Sequence, residues 1–109
     1  MAARYVLIRS GQQYRFVLKA GNNETILTSE LYVSKQGAEG GIQSVRVNSP
    51  NDARYERKNA GNGSPMFNLK ASNGERIGTS ETYSSTTARE TGIQSVKTNG
   101  PTAPIDDQT

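Results

Sequence analysis

One short motif that carries a hydroxyl, a carboxylate and a phenol occurs twice in the sequence. Its chemically active members are Ser29, Glu30 and Tyr32 in the first copy, and Ser80, Glu81 and Tyr83 in the second. Each copy could bind a polar ligand, which would give the protein two related sites. If the fold brought the two carboxylates together, they could also share general acid–base work.

A purely structural role explains the same residues. Glu30 and Glu81 would accept backbone amides at the start of a helix, where the helix dipole favours an anion. Tyr32 and Tyr83 would close the core with their rings while their hydroxyls reach water. The structural interpretation is the simpler one and is preferred, and ligand binding at the motifs stays open as the alternative.

Three basic residues are predicted to lie on the side of a strand opposite its apolar residues. Arg15 and Lys19 alternate with Phe16 and Leu18, and Lys70 repeats this position in the second half of the chain. A sheet with a basic open face could follow a nucleic-acid backbone. However, sheets that read single strands also stack bases on exposed aromatic rings, and most aromatic residues here fall on the apolar side. Nucleic-acid binding is therefore the runner-up.

Composition removes several kinds of chemistry. The 109 residues include no cysteine and no histidine, so thiolate chemistry, disulfides and the commonest metal ligand are missing. Ser29 and Ser80 have no histidine that could activate them as nucleophiles. No glycine-rich phosphate-binding motif occurs. We expect no enzyme activity, no cofactor and no metal site, and an unidentified enzyme activity is the least favoured alternative.

The two motifs belong to a tandem repeat that covers most of the chain. Residues 16–50 align without a gap on residues 67–101, and 20 of these 35 positions are identical. Upstream, Tyr5 aligns with Tyr55 at an offset that is one residue shorter. The second copy therefore has one extra residue, which we place in the glycine-rich loop before Phe67 because turns tolerate insertions.

Within each copy the hydrophobic period changes from strand-like to helix-like. A β-rich stretch, an alternating strand and a short strand come first, and the period of two indicates one buried face. The dipeptide Asn73-Gly74 predicts a type I′ hairpin between the second and third strands. A helix follows, with Ser34 and Ser85 as N-caps in the two copies. Gly41 and Gly92 lie beside its apolar stripe, where we expect the missing Cβ to let the helix approach the sheet; local fraying of the helix is the alternative.

These patterns predict an α+β fold made of two tandem β-β-β-α repeats. The repeats form one antiparallel sheet, with two helices packed on one face and a pseudo-two-fold axis between the copies. Each repeat alone is too small for a stable core, because about 50 residues supply little net stability. The chain 1–109 is therefore one domain, with repeat 1 at 3–50, repeat 2 at 53–101, and a short strand or a tail at 102–109. The predicted core residues are Phe16, Leu18, Ile26, Ile42, Val45, Phe67, Leu69, Ile77, Ile93 and Val96.

The repeated patterns resemble the duplicated form of the YegP-like family of small bacterial proteins. They are F-x-L-K-A-x-N, I-x-T-S-E-x-Y-x-S and G-I-Q-S-V-x-x-N, each present twice between Arg4 and Pro101. The resemblance implies two β-β-β-α units joined in one antiparallel sheet with the helices packed against it, in a cytoplasmic bacterial protein. One departure is Gly40 beside Gly41, where the family usually reads Glu-Asn-Gly. The resemblance supplies no catalytic residues.

The sequence indicates only the class of binding partner. No apolar run approaches the ~20 residues that a membrane span needs, and the N-terminal apolar run is too short for an export signal. We therefore expect a cytoplasmic protein without a membrane partner, monomeric as an internal pseudo-dimer. The preferred function is a non-catalytic module that binds an unknown macromolecule or small anion. It would do so through the open sheet face or the repeated Ser-Glu-x-Tyr motifs.

Overall fold

The computed structural model describes residues 2–109, and both predicted β-β-β-α units are present in it. In chain order the elements are β1 (Arg4–Ser10), β2 (Gln13–Lys19), β3 (Thr25–Ser29), α1 (Lys35–Asn48), β4 (Tyr55–Asn59), β5 (Pro65–Lys70), β6 (Arg76–Thr79), α2 (Thr86–Asn99) and β7 (Ile105–Asp107). A short 3-10 turn, Asp52–Arg54, leads into β4. Neither helix in this part of the chain is long and apolar enough to cross a membrane.

The strands form one sheet in the order β4-β5-β6-β3-β2-β1-β7. All neighbours are antiparallel except β1 and β7, which are parallel. The six strands of the two repeats thus form the predicted antiparallel sheet, and only β7, which lies outside both repeats, runs parallel to its neighbour. The strand that follows α1 is β4, and it pairs with β5. The strand that follows α2 is β7, and its equivalent place beside β2 is already occupied by β1. β7 therefore pairs with the outer edge of β1, so residues 102–109 include a strand rather than only a tail.

The two units meet where β3 pairs with β6, a junction that we call the seam. Thr28 pairs with Thr79, its own equivalent in the other unit, so the pseudo-two-fold axis passes between them. Gly78 lies one residue away, and a Cβ there would come within 2.9 Å of the Leu27 Cγ. The close approach of the central strands thus requires a residue without a side chain at this position.

The core is shared by both units and lies between the sheet and the two helices. All ten predicted core residues are buried, none more than 7% exposed, and they belong to one continuous cluster. The cluster also contains Tyr5 and Tyr55 from the first strand of each unit, which are not among the ten predicted core residues. Because this single cluster contains residues of both units, each unit buries part of the apolar surface of the other.

Tyr5 and Tyr55 each tie a strand to the helix end of the other unit. The Tyr5 hydroxyl donates to the carbonyl of Gly100 at 2.6 Å, and the Tyr55 hydroxyl donates to the carbonyl of Ser49 at 2.7 Å. Burial raises the pKa of both phenols well above the ordinary value. The hydroxyls therefore remain protonated donors, and they join the two halves at the C-terminal ends of α1 and α2.

The hairpin between β5 and β6 is not the predicted type I′ turn. Gly74 has a positive φ of 86°, whereas a type I′ turn needs positive φ at both central residues. The Gly74 amide donates to Ala71, and the Ala71 amide donates to Glu75. This is the three-residue loop in which a single left-handed residue follows a type I turn, and Gly74 supplies that residue.

Candidate functional site

The serines of the repeated motif have structural roles. Ser29 and Ser80 are buried, and their Oγ atoms accept hydrogen bonds from the amides of Phe16 and Phe67 at 2.9 Å. Each hydroxyl also donates to the carbonyl of the next residue, at 2.8 Å in the first unit and 2.7 Å in the second. Both hydroxyls are fully engaged with the backbone, so neither is placed to act as a nucleophile.

The tyrosines of the motif pack against the core and occupy the space beside a helical glycine. Tyr32 stacks on Phe16, and Tyr83 stacks on Phe67, with ring centroids 6.3 Å apart in both pairs. A Cβ at Gly92 would overlap the Tyr83 hydroxyl, and the same holds in the other unit. The missing Cβ therefore makes room for a phenol, and at Gly41 also for the Phe16 ring of β2, 2.9 Å from where a Cβ would lie, as expected for close contact between helix and sheet.

The glutamates of the motif do not cap the helices. Ser34 and Ser85 accept the amides of Gly37 and Ala88 at 3.0 Å, which confirms both as N-caps. Glu30 instead binds a side chain from the other unit. The predicted role at the helix amides is therefore wrong for Glu30, because the serine already supplies the acceptor there.

Each strand-to-helix connection, residues 30–34 and 81–85, faces the β-hairpin of the other unit across the seam. We call these connections the first and second corners. At the first corner, Arg76 from β6 places Nε at 2.9 Å and Nη2 at 2.8 Å from Oε1 of Glu30. At the second corner, the repeat places Thr25 where Arg76 lies and Glu81 where Glu30 lies. The two corners are thus equivalent positions of the repeat but differ in the residue that faces the glutamate.

A cavity of about 520 Å³ lies at the second corner. Its walls come from both units: the β2–β3 hairpin of the first, and the corner and α2 of the second. We call this cavity the cleft. Its polar lining residues are Asn22, Glu24, Thr25, Glu81, Thr82, Tyr83, Thr91 and Ser95. Its apolar lining residues are Ala20, Ile26, Ala88 and Gly92.

The cleft is acidic. Burial raises the pKa of the Tyr83 hydroxyl, and the charges of Glu81 and then Glu24 raise it further, so both carboxylates act on the same phenol. The ion pairs formed within residues 2–109 include neither Glu81 nor Glu24. An anionic ligand would therefore meet two carboxylates that have no ion-pair partner among these residues. The described residues form no group of three or more His, Cys, Asp or Glu side chains suited to a metal ion.

The predicted basic residues lie away from the cleft, on the sheet face that the helices leave open. Arg15 and Lys19 are half-buried there and alternate with the core residues of β2. Lys70 is bound to Glu56, with 3.1 Å between Nζ and Oε2. Glu56 also accepts from the buried Asn68 at 2.9 Å. One of the three basic side chains is thus neutralised, and the structure brings none of them to the corners.

The aromatic residues give this open face no stacking platform. The chain has two phenylalanines and five tyrosines. All seven lie in the core cluster or pack against it. Base stacking on exposed rings is the usual basis of single-strand recognition by a sheet, and these rings face the helices.

Sequence reasoning missed Glu24, Thr25 and Arg76 as residues of the corners. Each of these residues faces the opposite unit, and the repeat pattern within one unit does not show which residues of the other unit lie beside it. One signal was present. The segment Glu-x-Ile reads Glu-Thr-Ile at Thr25 and Glu-Arg-Ile at Arg76, which is a change of charge inside a well-matched block.

Comparison with known proteins supports the duplicated architecture. The family described as "Domain of unknown function (DUF1508)" matches the chain twice, at residues 10–56 and 60–107. The first match begins at the last residue of β1 and ends in β4, and the second begins between β4 and β5 and ends in β7. The UPF0339 protein YegP of Escherichia coli (strain K12) is 57% identical over 110 residues, covering 100% of both chains. A UPF0339 protein of Bordetella pertussis is 57% identical over 109 residues, covering 100% of this chain and 98% of the relative.

Two solved structures share the fold over nearly the whole chain. The solution NMR structure of the Escherichia coli protein yegP has a TM-score of 0.93 at 57% identity, covering 100% of this chain and 95% of that one. The solution NMR structure of a UPF0339 protein from Shewanella oneidensis has a TM-score of 0.91 at 56% identity, covering 98% and 92%. With its two tandem DUF1508 domains and full-length similarity to YegP, the chain belongs to the UPF0339 family.

Proposed function

We propose that this protein is a non-catalytic binding module that takes a small molecule in the cleft between its two units. The observation that carries the proposal is the cavity of about 520 Å³, which has walls from both units and a mixed polar and apolar lining. Cavities of roughly 300–1,000 Å³ with a few convergent polar groups are typical of small-molecule sites. The proposal includes a monomeric chain and a cytoplasmic location, as the sequence predicts.

The groups around the cleft are suited to binding rather than to catalysis. The hydroxyl of Ser80 is held by the Phe67 amide and the Glu81 carbonyl. The Tyr83 phenol has a raised pKa, so it stays protonated near neutral pH and can serve as a hydrogen-bond donor. General acid–base work near neutral pH needs a group that titrates there, and the raised pKa of the Tyr83 phenol makes it a hydrogen-bond donor instead.

Nucleic-acid binding on the open sheet face is the alternative, and less supports it. Arg15 and Lys19 offer positive charge on this face, but Lys70 is paired with Glu56. The neighbouring Asn68 is buried and joined to Glu56 and Thr79 by hydrogen bonds of 2.9 Å. A macromolecular partner on this face would meet an internally bonded polar surface over the second unit.

The proposal can be tested by NMR with the isotope-labelled protein and a mixed library of neutral, anionic and cationic fragments. We expect hits that shift the amides of Thr25, Thr82 and Gly92. A Thr91→Trp variant should block these hits because Thr91 lines the cleft. Gln94→Trp is the matched control, since Gln94 is exposed on the same helix outside the lining.

The proposed function is wrong if no fragment of the library shifts the amides of the cleft in the folded protein. A short single-stranded oligonucleotide is titrated in parallel at low and raised salt. Salt-dependent shifts confined to Arg15, Lys19 and their neighbours would favour the nucleic-acid alternative instead.

A further inference from the structure

Resting on the proposed function, we infer that the ligand of the cleft is a small organic cation with a guanidinium or ammonium group on a short alkyl chain. The inference rests on the first corner, where the protein's own Arg76 binds the corner glutamate, Glu30. In the cleft the equivalent glutamate is Glu81, and a threonine stands at the position of the arginine.

The first corner is filled from within the protein. Two nitrogens of the Arg76 guanidinium, Nε and Nη2, lie 2.9 Å and 2.8 Å from the same oxygen of Glu30. Arg76 reaches this carboxylate because β6 pairs with β3 across the seam, where the Glu30 amide donates to the carbonyl of Ile77 at 3.3 Å. The corner backbone therefore directs its glutamate at the neighbouring strand.

The second corner has the equivalent glutamate of the repeat but lacks the cation. Thr25 stands at the position of Arg76, and its side chain is too short and carries no charge. Glu81 is exposed and lines the cleft together with Glu24. Both carboxylates are absent from the ion pairs formed within residues 2–109. A guanidinium bound here would donate to Glu81 the charge-assisted hydrogen bonds that Arg76 donates to Glu30 at the first corner.

The rest of the lining suits the apolar part of such a ligand. Ala20, Ile26 and Ala88 line the cleft, as does the ring of Tyr83. The Arg76 side chain likewise carries its guanidinium on an alkyl stem, and alkyl stems pack favourably on apolar surface. An alkylguanidinium is therefore the simplest probe that reproduces the missing side chain.

The inference is tested with n-butylguanidinium and n-butylurea, which have similar shapes and differ in charge. Both are titrated into the intact protein at low salt, and binding is followed by the amide shifts of Thr25, Thr82 and Gly92. We expect butylguanidinium to bind about tenfold more tightly than butylurea, because hydrogen bonds to charged groups are the stronger ones. Raised salt should weaken the binding of butylguanidinium and leave that of butylurea unchanged.

Two variants separate a specific contact from general attraction. Glu81→Gln should remove the preference for butylguanidinium and leave the weak binding of butylurea unchanged. Glu39→Gln is the control, since Glu39 is an exposed glutamate on α1 outside the cleft lining. It should retain the full preference.

The outcomes distinguish this inference from the proposed function. Equal binding of both probes, or a preference that survives in Glu81→Gln, would overturn the cationic ligand and leave the cleft as a binding site. Binding of other library fragments at the cleft without binding of butylguanidinium would have the same meaning. If neither probe nor any fragment shifts the cleft amides, the inference and the proposed function both fail.

Discussion

Arg76 of the second unit lies on Glu30 of the first unit, with 2.8 Å between Nη2 and Oε1. This contact crosses the seam, and its counterpart is missing because Thr25 replaces the arginine beside Glu81. The two corners are thus equivalent positions of the repeat that differ in the residue facing the glutamate. The difference makes one corner a structural ion pair and leaves the other as the cleft.

Adding a methyl group at Gly41 should destabilise the protein. A Cβ there would lie 2.7 Å from Cζ of Tyr32 and 2.9 Å from Cε2 of Phe16, so the ring pair would have to move. We expect Gly41→Ala to lower the free energy of unfolding by about 1–3 kcal/mol, the usual cost of overpacking a core. Urea denaturation followed by circular dichroism measures this change.

The adjacent glycine is the control for this substitution. Gly40 lies in the same helix, and a Cβ there meets no atom within 4 Å. Gly40→Ala should therefore raise the free energy of unfolding by roughly 0.5–1 kcal/mol, because alanine has the higher helix propensity. Equal stabilisation by both substitutions would show that Tyr32 does not occupy the space above Gly41.

Removing the motif serine should cost stability rather than an activity. The Oγ of Ser29 is the acceptor for the buried amide of Phe16 at 2.9 Å. Ser29→Ala leaves that amide unsatisfied, which costs about 1–3 kcal/mol. Ser72→Ala, in an exposed turn, should stay within about 0.5 kcal/mol of the parent. A Ser29→Ala protein as stable as the parent would contradict the structural role.

A charged network at the end of α2 should make stability depend on acid pH. Hydrogen bonds from Arg57 at 2.9 Å and Lys97 at 2.7 Å hold the pKa of Asp52 at about 2, below its ordinary value of 3.8. Because the folded pKa is the lower one, this stabilisation is present above pH 3.8 and is lost as pH falls toward 2.

This prediction is measured by urea denaturation between pH 5 and about pH 2. Asp52→Asn removes the titrating group, so the difference in stability between parent and variant should shrink as the pH falls through this range. A difference that stays constant down to about pH 2 would show that Asp52 is not stabilised by its two cationic partners.

The first unit alone should not fold as a monomer. Its core is completed by residues of the second unit, and its Tyr5 hydroxyl binds the carbonyl of Gly100. A chain that ends at Ser49 also loses the donor from Tyr55. We expect it to lack a cooperative thermal transition at micromolar concentration, because so few residues supply little net stability. A monomer that melts as cooperatively as the intact chain would refute the shared core.

The fold could be predicted from sequence wherever local periodicity determines it. The strands, both helices, their serine N-caps and the ten core residues follow from alternation, from the helical stripe and from the repeat. The parallel pairing of β7 with β1 could not be predicted, because it depends on which sheet edge is free after both units have assembled. The hairpin loop at Gly74 was assigned the wrong turn type, since a glycine fits more than one turn.

The candidate site was only half predictable. The motif placed Glu81 and Tyr83 on the strand-to-helix connection, where the structure has them, and both line the cleft. The opposite wall, with Glu24 and Thr25, comes from the other unit, and contacts across a seam leave no trace in the periodicity of one strand. The basic residues Arg15, Lys19 and Lys70 were placed on a sheet face that is separate from the cleft.

The most direct test of the account exchanges the two corner residues in one protein, Thr25→Arg with Arg76→Thr. Titration of this variant with n-butylguanidinium is followed by the amide shifts of both corners. We predict that the shifts leave Thr82 and Gly92 and move to the related residues Leu31 and Gly41, because the new arginine fills the cleft while the other corner opens. Shifts that remain at Gly92 with unchanged affinity would contradict the claim that one arginine decides which corner is open.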